Sequence, residues 1–110
     1  MVDDQTITAR QLLQLLQSDS ILPVHIMSRN LFVEYRIKNS IWKPFHEIED
    51  HDFSHLDSSK TIVTYCKNES CMSSVFAADI LRENGFNALA YRGGIEEWRS
   101  LGYPSESGEI

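Results

Sequence analysis

The chain has 110 residues, 42% of them hydrophobic, and this size and composition predict one folded domain, residues 1–110, rather than a disordered segment. Ten basic and sixteen acidic residues give a formal net charge of −6, which argues against a nucleic-acid binder or a binder of anionic membranes. No apolar run approaches the roughly 20 residues that cross a bilayer, and the first ten residues lack the layout of a signal peptide. We therefore expect a cytoplasmic protein, in which two cysteines are more often free thiols, redox groups or ligands than a structural disulfide.

The first half of the chain alternates helix and strand signals. A capping-box pattern at Thr8 to Gln11, followed by leucines at helical spacing, predicts a helix over about residues 8–18. The apolar run 21–27 predicts a strand with Pro23 near its start, and "NLFVEYRI" predicts a short helix. "SIWKPF" has weak strand character and is stopped by Pro44, and the polar stretch 46–60 predicts a short helix or turn and a loop.

The second half contains the clearest strand. Residues 61–65, "TIVTY", are β-branched, aromatic and apolar on both faces, as expected of a central parallel strand. A helix follows, with Gly85 as its left-handed C-cap and Phe86 over its last turn, then a strand in "NALAY" and a helix from residue 95 to about 101. The predicted core face of the first of these helices is Phe76, Ala77, Ile80 and Leu81. The alternation predicts an α/β fold with a parallel sheet and helices on both faces, while residues 105–110 are expected to form a flexible tail.

Cys66 follows the central strand directly and precedes a helix. In open α/β sheets, ligands bind at the carboxyl edge of the strands. The N–H groups of the loop and of the helix start would lower the pKa of a thiol there. Lys67 adds a positive charge, and hydroxyl donors are offered by Ser70, Ser73 and Ser74. The residues alone leave open a plain alternative, a small buried cysteine at a strand end.

Three further motifs surround this cysteine: Tyr65-Cys66 at the strand end, Gly85-Phe86, and Gly93-Gly94-Ile95-Glu96-Glu97-Trp98. Together they resemble the C-terminal half of a single-domain rhodanese. In the first half, "ITARQLLQLL" resembles that family's opening strand and helix, and Glu34-Tyr35 its acidic-aromatic pair. The resemblance implies a parallel sheet of about five strands and sulfur transfer through a persulfide on Cys66. We therefore expect a small sulfur donor, and an acceptor that is a thiol, such as a thioredoxin-like protein or a low-molecular-weight thiol, or another nucleophile. We expect no cofactor.

The active-site loop departs from the common family form C-R-x-G-x-[R/T]. It has neither the glycine nor the arginine, and resembles instead a variant with a second cysteine, C-x-G-P-x-C, before an Ala-Ala-bearing helix; Cys71 and Ala77-Ala78 match that variant, whereas Gly-Pro does not. We expect Glu69 to repel an anionic donor such as thiosulfate. The predicted binding loop comprises Lys67, Asn68, Glu69, Ser70, Cys71, Met72 and Ser73.

Three accessory residues are candidates outside the loop. The family often carries Asp-x-Arg where this chain has His25-Ile26-Met27, so Arg29 is a candidate for the missing charge. His25 itself is more often a hydrogen-bonded core histidine than a catalyst. Arg92 is the cation we expect near the mouth of the site, with a solvated surface arginine equally open. Tyr91 and Trp98 are expected to lie in the core.

Three function classes remain open. The leading one is a sulfurtransferase, the second a rhodanese-like binding or regulatory module with weak or no turnover. The third is a cysteine phosphatase or arsenate reductase, ranked last because no arginine follows Cys66 until Arg82.

The second cysteine and the metal question complete the sequence predictions. Cys71 is either a small residue at a helix start or a resolving thiol for Cys66. His51 and His55 could join the two cysteines in a zinc set, but no paired C-x2-C knuckle exists and we expect no metal. The sequence does not set the oligomeric state.

Overall fold

The computed structural model describes residues 5–109. Its helices are α1 (Ala9–Leu15), α2 (Arg29–Glu34), α3 (Phe45–Glu49), α4 (Ser73–Glu83) and α5 (Gly94–Ser100). Its strands are β1 (Thr6–Ile7), β2 (Ile21–His25), β3 (Arg36–Ile37), β4 (Ile41–Trp42), β5 (Thr61–Tyr65), β6 (Ala88–Tyr91) and β7 (Ser105–Glu106).

Five strands form one parallel sheet in the order β1-β6-β5-β2-β4. The predicted central strand, β5, pairs with β2 on one side and β6 on the other, which confirms its internal position. Parallel strands end at the same edge, so the residues that follow β2, β5 and β6 come together there.

Helices cover both faces of the sheet, as predicted. On one face, α3 and α4 pack against Val24 and Ile62 through Ile48 and Leu81, among others. On the opposite face, α1 and α5 pack against Val63 and Tyr65. Successive residues of β5 therefore enter opposite cores, which explains why this strand is apolar on both sides.

Two predicted helix caps are confirmed, and one predicted helix is shorter than the sequence suggested. Thr8 and Gln11 exchange the two hydrogen bonds of a capping box. Gly85 has a φ of +91°, and the Phe86 N–H donates to the Leu81 carbonyl, as in a Schellman motif. The helix predicted for about residues 8–18 ends at Leu15, whose carbonyl accepts from the hydroxyl of Ser18.

The predicted core face of α4 is wrong in one position. Phe76 is 54% exposed, whereas Ser74, Ala77, Ala78 and Leu81 are buried. Small residues at the centre of this face allow α4 to approach the sheet closely, and the Thr64 hydroxyl donates to the Ser74 carbonyl at 2.7 Å. With this face turned to the sheet, Phe76 lies at the surface.

The segment expected to be a flexible tail has defined partners over its described residues. Ser105–Glu106 pair antiparallel with Arg36–Ile37, and the Gly108 N–H donates to the Val33 carbonyl at 2.7 Å. Arg36 is buried and donates to the Gly108 carbonyl. This segment is held by backbone pairing with residues that are distant in the sequence. Its polar composition does not reveal that pairing.

Candidate functional site

Cys66 lies directly after β5 at the carboxyl edge of the sheet and is 7% exposed. Its carbonyl accepts from the Ile95 N–H at 3.0 Å, and the carbonyl of Lys67 accepts from the Glu96 N–H at 3.0 Å. The first turn of α5 thus holds the backbone at the start of the Cys66 loop, residues 66–73. The amides of Ile95 and Glu96 therefore bind the loop backbone.

Gly94, the first residue of α5, permits this contact. Gly94 has a φ of +73°, and a Cβ there would lie 2.6 Å from the carbonyl carbon and oxygen of Lys67. It would also lie 2.7 Å from the amide nitrogen of Asn68. Only glycine combines this left-handed backbone with so close an approach, so the glycine at position 94 is a packing requirement of the loop.

Asn68 curls the loop. Its side-chain oxygen accepts from the Ser70 N–H, and its carbonyl accepts from the Cys71 N–H, both at 3.0 Å. Its side-chain nitrogen donates to Glu96 at 3.0 Å, which ties the turn to α5.

The curled loop brings the two cysteines together as a disulfide between Cys66 and Cys71, with their Cα atoms 6.5 Å apart. This spacing lies in the usual range for a disulfide. No free cysteine is left in the described chain. The two expected thiols are thus bonded to each other, because the turn at Asn68 returns the backbone toward its starting point.

Charged residues border the loop on two sides. Arg92 donates from one terminal nitrogen to the Glu69 carbonyl at 2.8 Å and contacts the Met72 sulfur at 3.2 Å, so it lies against the Cys66 loop. Lys67 is exposed and lies 3.8 Å from a Glu96 carboxylate oxygen. The positive charge of Lys67 is therefore partly neutralised by Glu96 of α5 and does not act on Cys66 alone.

The other accessory candidates lie elsewhere. His25 is fully buried between the rings of Phe32 and Tyr65. Burial, and secondarily the nearby Arg36, lowers the pKa of His25 to about 4, so it is the predicted core histidine in its neutral form. Arg29 is half exposed, and its guanidinium lies 2.6 Å from a carboxylate oxygen of Glu109. The charge that was a candidate to replace the missing Asp-x-Arg charge is therefore already paired with Glu109.

A cavity of about 180 Å³ opens beside the loop, between α2 and α5. The guanidinium of Arg99 lies 4.9 Å from the centre of the Tyr35 ring at its wall. Sequence reasoning noted Glu34-Tyr35 only as a family feature, and the contribution of α5 required the tertiary fold. The lining residues are Met27, Leu31, Glu34, Tyr35, Lys67, Ile95, Glu96 and Arg99.

Residues 5–109 contain no group of three or more His, Cys, Asp and Glu side chains placed to hold a metal ion. Across the same residues, no helix is both long and apolar enough to cross a membrane.

Comparison with known proteins agrees with the fold. The family model of the rhodanese-like domain matches residues 8–101, and no curated protein matches the sequence. A crystal structure of a Bacillus halodurans protein superposes with a TM-score of 0.84 at 25% identity, over 93% of this chain and 76% of that one.

Two further structures carry informative descriptions. A rhodanese-related protein from Thermoplasma volcanium has a TM-score of 0.81 at 24% identity, with 93% and 97% of the two chains covered. A thiosulfate sulfurtransferase from Pseudomonas aeruginosa has a TM-score of 0.82 at 19% identity, over 96% of this chain and 20% of that one. With a family match over most of its length and the same fold in these neighbours, the chain belongs to the rhodanese-like domain family.

Proposed function

We propose that this protein is a sulfurtransferase that carries sulfane sulfur as a persulfide on Cys66 and passes it to a thiol. The observation that carries the proposal is the position of Cys66, at the carboxyl edge of the central strand in a loop held by the first turn of α5. We further propose that it acts in the cytoplasm as a single domain, on a small donor and without a cofactor.

The reaction has two nucleophilic steps. The Cys66 thiolate attacks the outer sulfur of the donor, and the remainder of the donor leaves with the bonding electrons. An acceptor thiolate then attacks the terminal sulfur of the persulfide and releases the Cys66 thiolate. Because Cys66 is bonded to Cys71 in this structure, reduction of that disulfide precedes the first step.

The start of α4 supports thiolate formation. The first N–H groups of a helix have no partner within it and carry partial positive charge. In this chain α4 begins at Ser73, two residues after Cys71. We therefore expect the pKa of the reduced Cys66 thiol to lie below the free value of about 8.5, and a thiol-alkylation pH profile measures it.

The phosphatase and arsenate reductase alternative has no oxyanion-binding arginine in this loop. Arg82, the first arginine after Cys66, pairs with Asp79 and donates to the Ala88 carbonyl at 2.7 Å. An assay of the reduced protein with thiosulfate, polysulfide and a phosphatase substrate separates the classes. We expect turnover with polysulfide and a thiol acceptor, and none with the phosphate ester; the opposite pattern would reverse the proposal.

The donor preference follows from the charge of the loop. Glu69 is exposed within it and Lys67 is paired with Glu96, so we expect poor use of doubly charged thiosulfate. Glu69→Gln should raise thiosulfate turnover, because it removes a repulsive charge. Glu83→Gln, which changes an exposed glutamate at the far end of α4, is the matched control. Equal turnover in both variants would show that Glu69 does not face the donor.

A binding or regulatory module is the second candidate. It is favoured by the low exposure of Cys66 and by its bond to Cys71, which together leave no accessible thiolate in this state. The two candidates differ after reduction: a sulfurtransferase turns over donor once the disulfide is opened, whereas a binding module does not.

A further inference from the structure

We propose that Cys71 is a resolving thiol, which makes the protein a sulfane-sulfur reductase that releases sulfide as well as a carrier that hands sulfur to an acceptor. This inference rests on the proposed persulfide of Cys66. It adds a second product to the site and assigns a chemical role to Cys71.

The geometry supplies the reach that the reaction needs. The Cys66–Cys71 bond shows that the two sulfur atoms meet without any rearrangement of the fold, across Cα atoms 6.5 Å apart. Cys71 is partly buried and packs against the apolar core on the α3 and α4 face. The Cys71 N–H also donates to the Asn68 carbonyl at 3.0 Å, and because this hydrogen bond involves neither sulfur atom, we expect Cys71 to stay beside Cys66 after reduction.

The loop between the cysteines is held by its own hydrogen bonds. Asn68 accepts from the N–H groups of Ser70 and Cys71, and it donates to Glu96 on α5. Arg92 fixes the outer side of the loop through the Glu69 carbonyl. Ordering of this kind raises the effective concentration of one thiol at the other, which favours attack by Cys71 over attack by a free thiol in solution.

The step balances in atoms and electrons. The Cys71 thiolate attacks Sγ of Cys66, the bond from that sulfur to the outer sulfur breaks, and hydrosulfide leaves with the bonding pair. Cys66 and Cys71 are then joined by a disulfide, and the outer sulfur has been reduced by two electrons. A dithiol reductant, of the thioredoxin-like class, reopens the disulfide by thiol exchange and is itself oxidised.

Two attack positions therefore compete for one persulfide. Cys71 attacks the inner sulfur and gives sulfide, whereas an external acceptor attacks the terminal sulfur and receives it. In the absence of acceptor, we expect wild-type protein to discharge its persulfide by itself, once per reduction cycle.

The test follows a single turnover. Protein reduced and desalted without oxygen is loaded with one equivalent of polysulfide, and intact mass and free sulfide are recorded over time. Wild type should release sulfide in step with the loss of two hydrogens from the mass of the reduced protein. Cys71→Ser should hold its persulfide longer, by about tenfold or more given the effective concentration of an intramolecular thiol.

Two outcomes are kept apart by the controls. If wild type neither gains sulfur nor releases sulfide while its disulfide is shown to be reduced, the proposed function of Cys66 fails. If wild type and Cys71→Ser both load and discharge at the same rate, the resolving role is wrong and the sulfurtransferase proposal stands. A measurement on wild type alone serves if the variant does not fold: sulfide release without a matching Cys66–Cys71 disulfide also overturns the inference.

Discussion

Substitution of Gly94 by alanine tests how the first turn of α5 supports the Cys66 loop. The new methyl group would lie 2.6 Å from backbone atoms of Lys67, against 3.4 Å for ordinary contact, so the loop must retreat by roughly 0.8 Å. The contacted atoms belong to the backbone, so they cannot move aside as easily as the end of a flexible side chain. The retreat stretches the two hydrogen bonds from the amides of Ile95 and Glu96 to the loop.

The expected cost has two parts. Alanine in a left-handed conformation costs about 1–2 kcal/mol, and weakening two backbone hydrogen bonds costs about 1 kcal/mol each. Gly94→Ala should therefore lower the free energy of unfolding by about 3–4 kcal/mol. It should also slow sulfur loading of Cys66 by on the order of tenfold or more, since small misplacements near a reacting group are costly.

Gly102→Ala is the matched control. Gly102 has a φ of +69°, close to the +73° of Gly94, but a Cβ there meets no atom within 4 Å. It should cost only the backbone part, about 1–2 kcal/mol, and leave loading unchanged. Urea unfolding and intact-mass loading curves measure both variants. Equal losses of stability and equal loading rates in the two variants would refute the proposed support of the loop by α5.

Three further predictions address the core and the loop. The neutral His25 has its pKa lowered from 6.5 to about 4 by burial, so the unfolded chain binds the extra proton between these values. The free energy of unfolding is then at its full value above about pH 6.5 and falls by roughly 2 kcal/mol from pH 7 to pH 5. In urea unfolding, His25→Gln should show a smaller fall than wild type, and an equal fall in the two proteins would contradict the lowered pKa of His25. Leu81→Ala should cost about 2–5 kcal/mol and Phe76→Ala less than about 1 kcal/mol, whereas the reverse order would restore the predicted helix face. Arg92→Ala should slow sulfur loading several-fold, about as expected for lost loop positioning, while Arg10→Ala on α1 should not; equal rates would remove the role of Arg92.

The sequence was sufficient for the features that local patterns determine. The apolar run at residues 61–65 identified the central strand because only an internal parallel strand is buried on both faces. Gly85 identified the end of α4 because a left-handed C-cap requires it. Together these two features identified Cys66 as a candidate site residue, because it lies between a central strand and a helix.

Features that depend on distant contacts were missed or misplaced. The helical spacing of apolar residues could not show which of two neighbouring faces of α4 is buried. Ala77 and Ala78 are small, and the side chain of Phe76 has more apolar area, so the pattern favoured the face that contains Phe76. The pairing of residues 105–106 with β3 joins segments about 70 positions apart along the chain. Neither the cavity between α2 and α5 nor the meeting of the two cysteines has a local signal strong enough to predict it.

The central claim is that Cys66 carries sulfane sulfur, and intact mass tests it most directly. Wild type and Cys66→Ser are reduced, desalted and exposed to excess polysulfide, and the modified residue is located in peptides. The account predicts that wild type gains the mass of one sulfur atom on Cys66 before it discharges, that a reductant removes this mass, and that Cys66→Ser gains none at this loop. Reduced wild type that neither gains sulfur nor releases sulfide, or that gains sulfur only on Cys71, would contradict this claim.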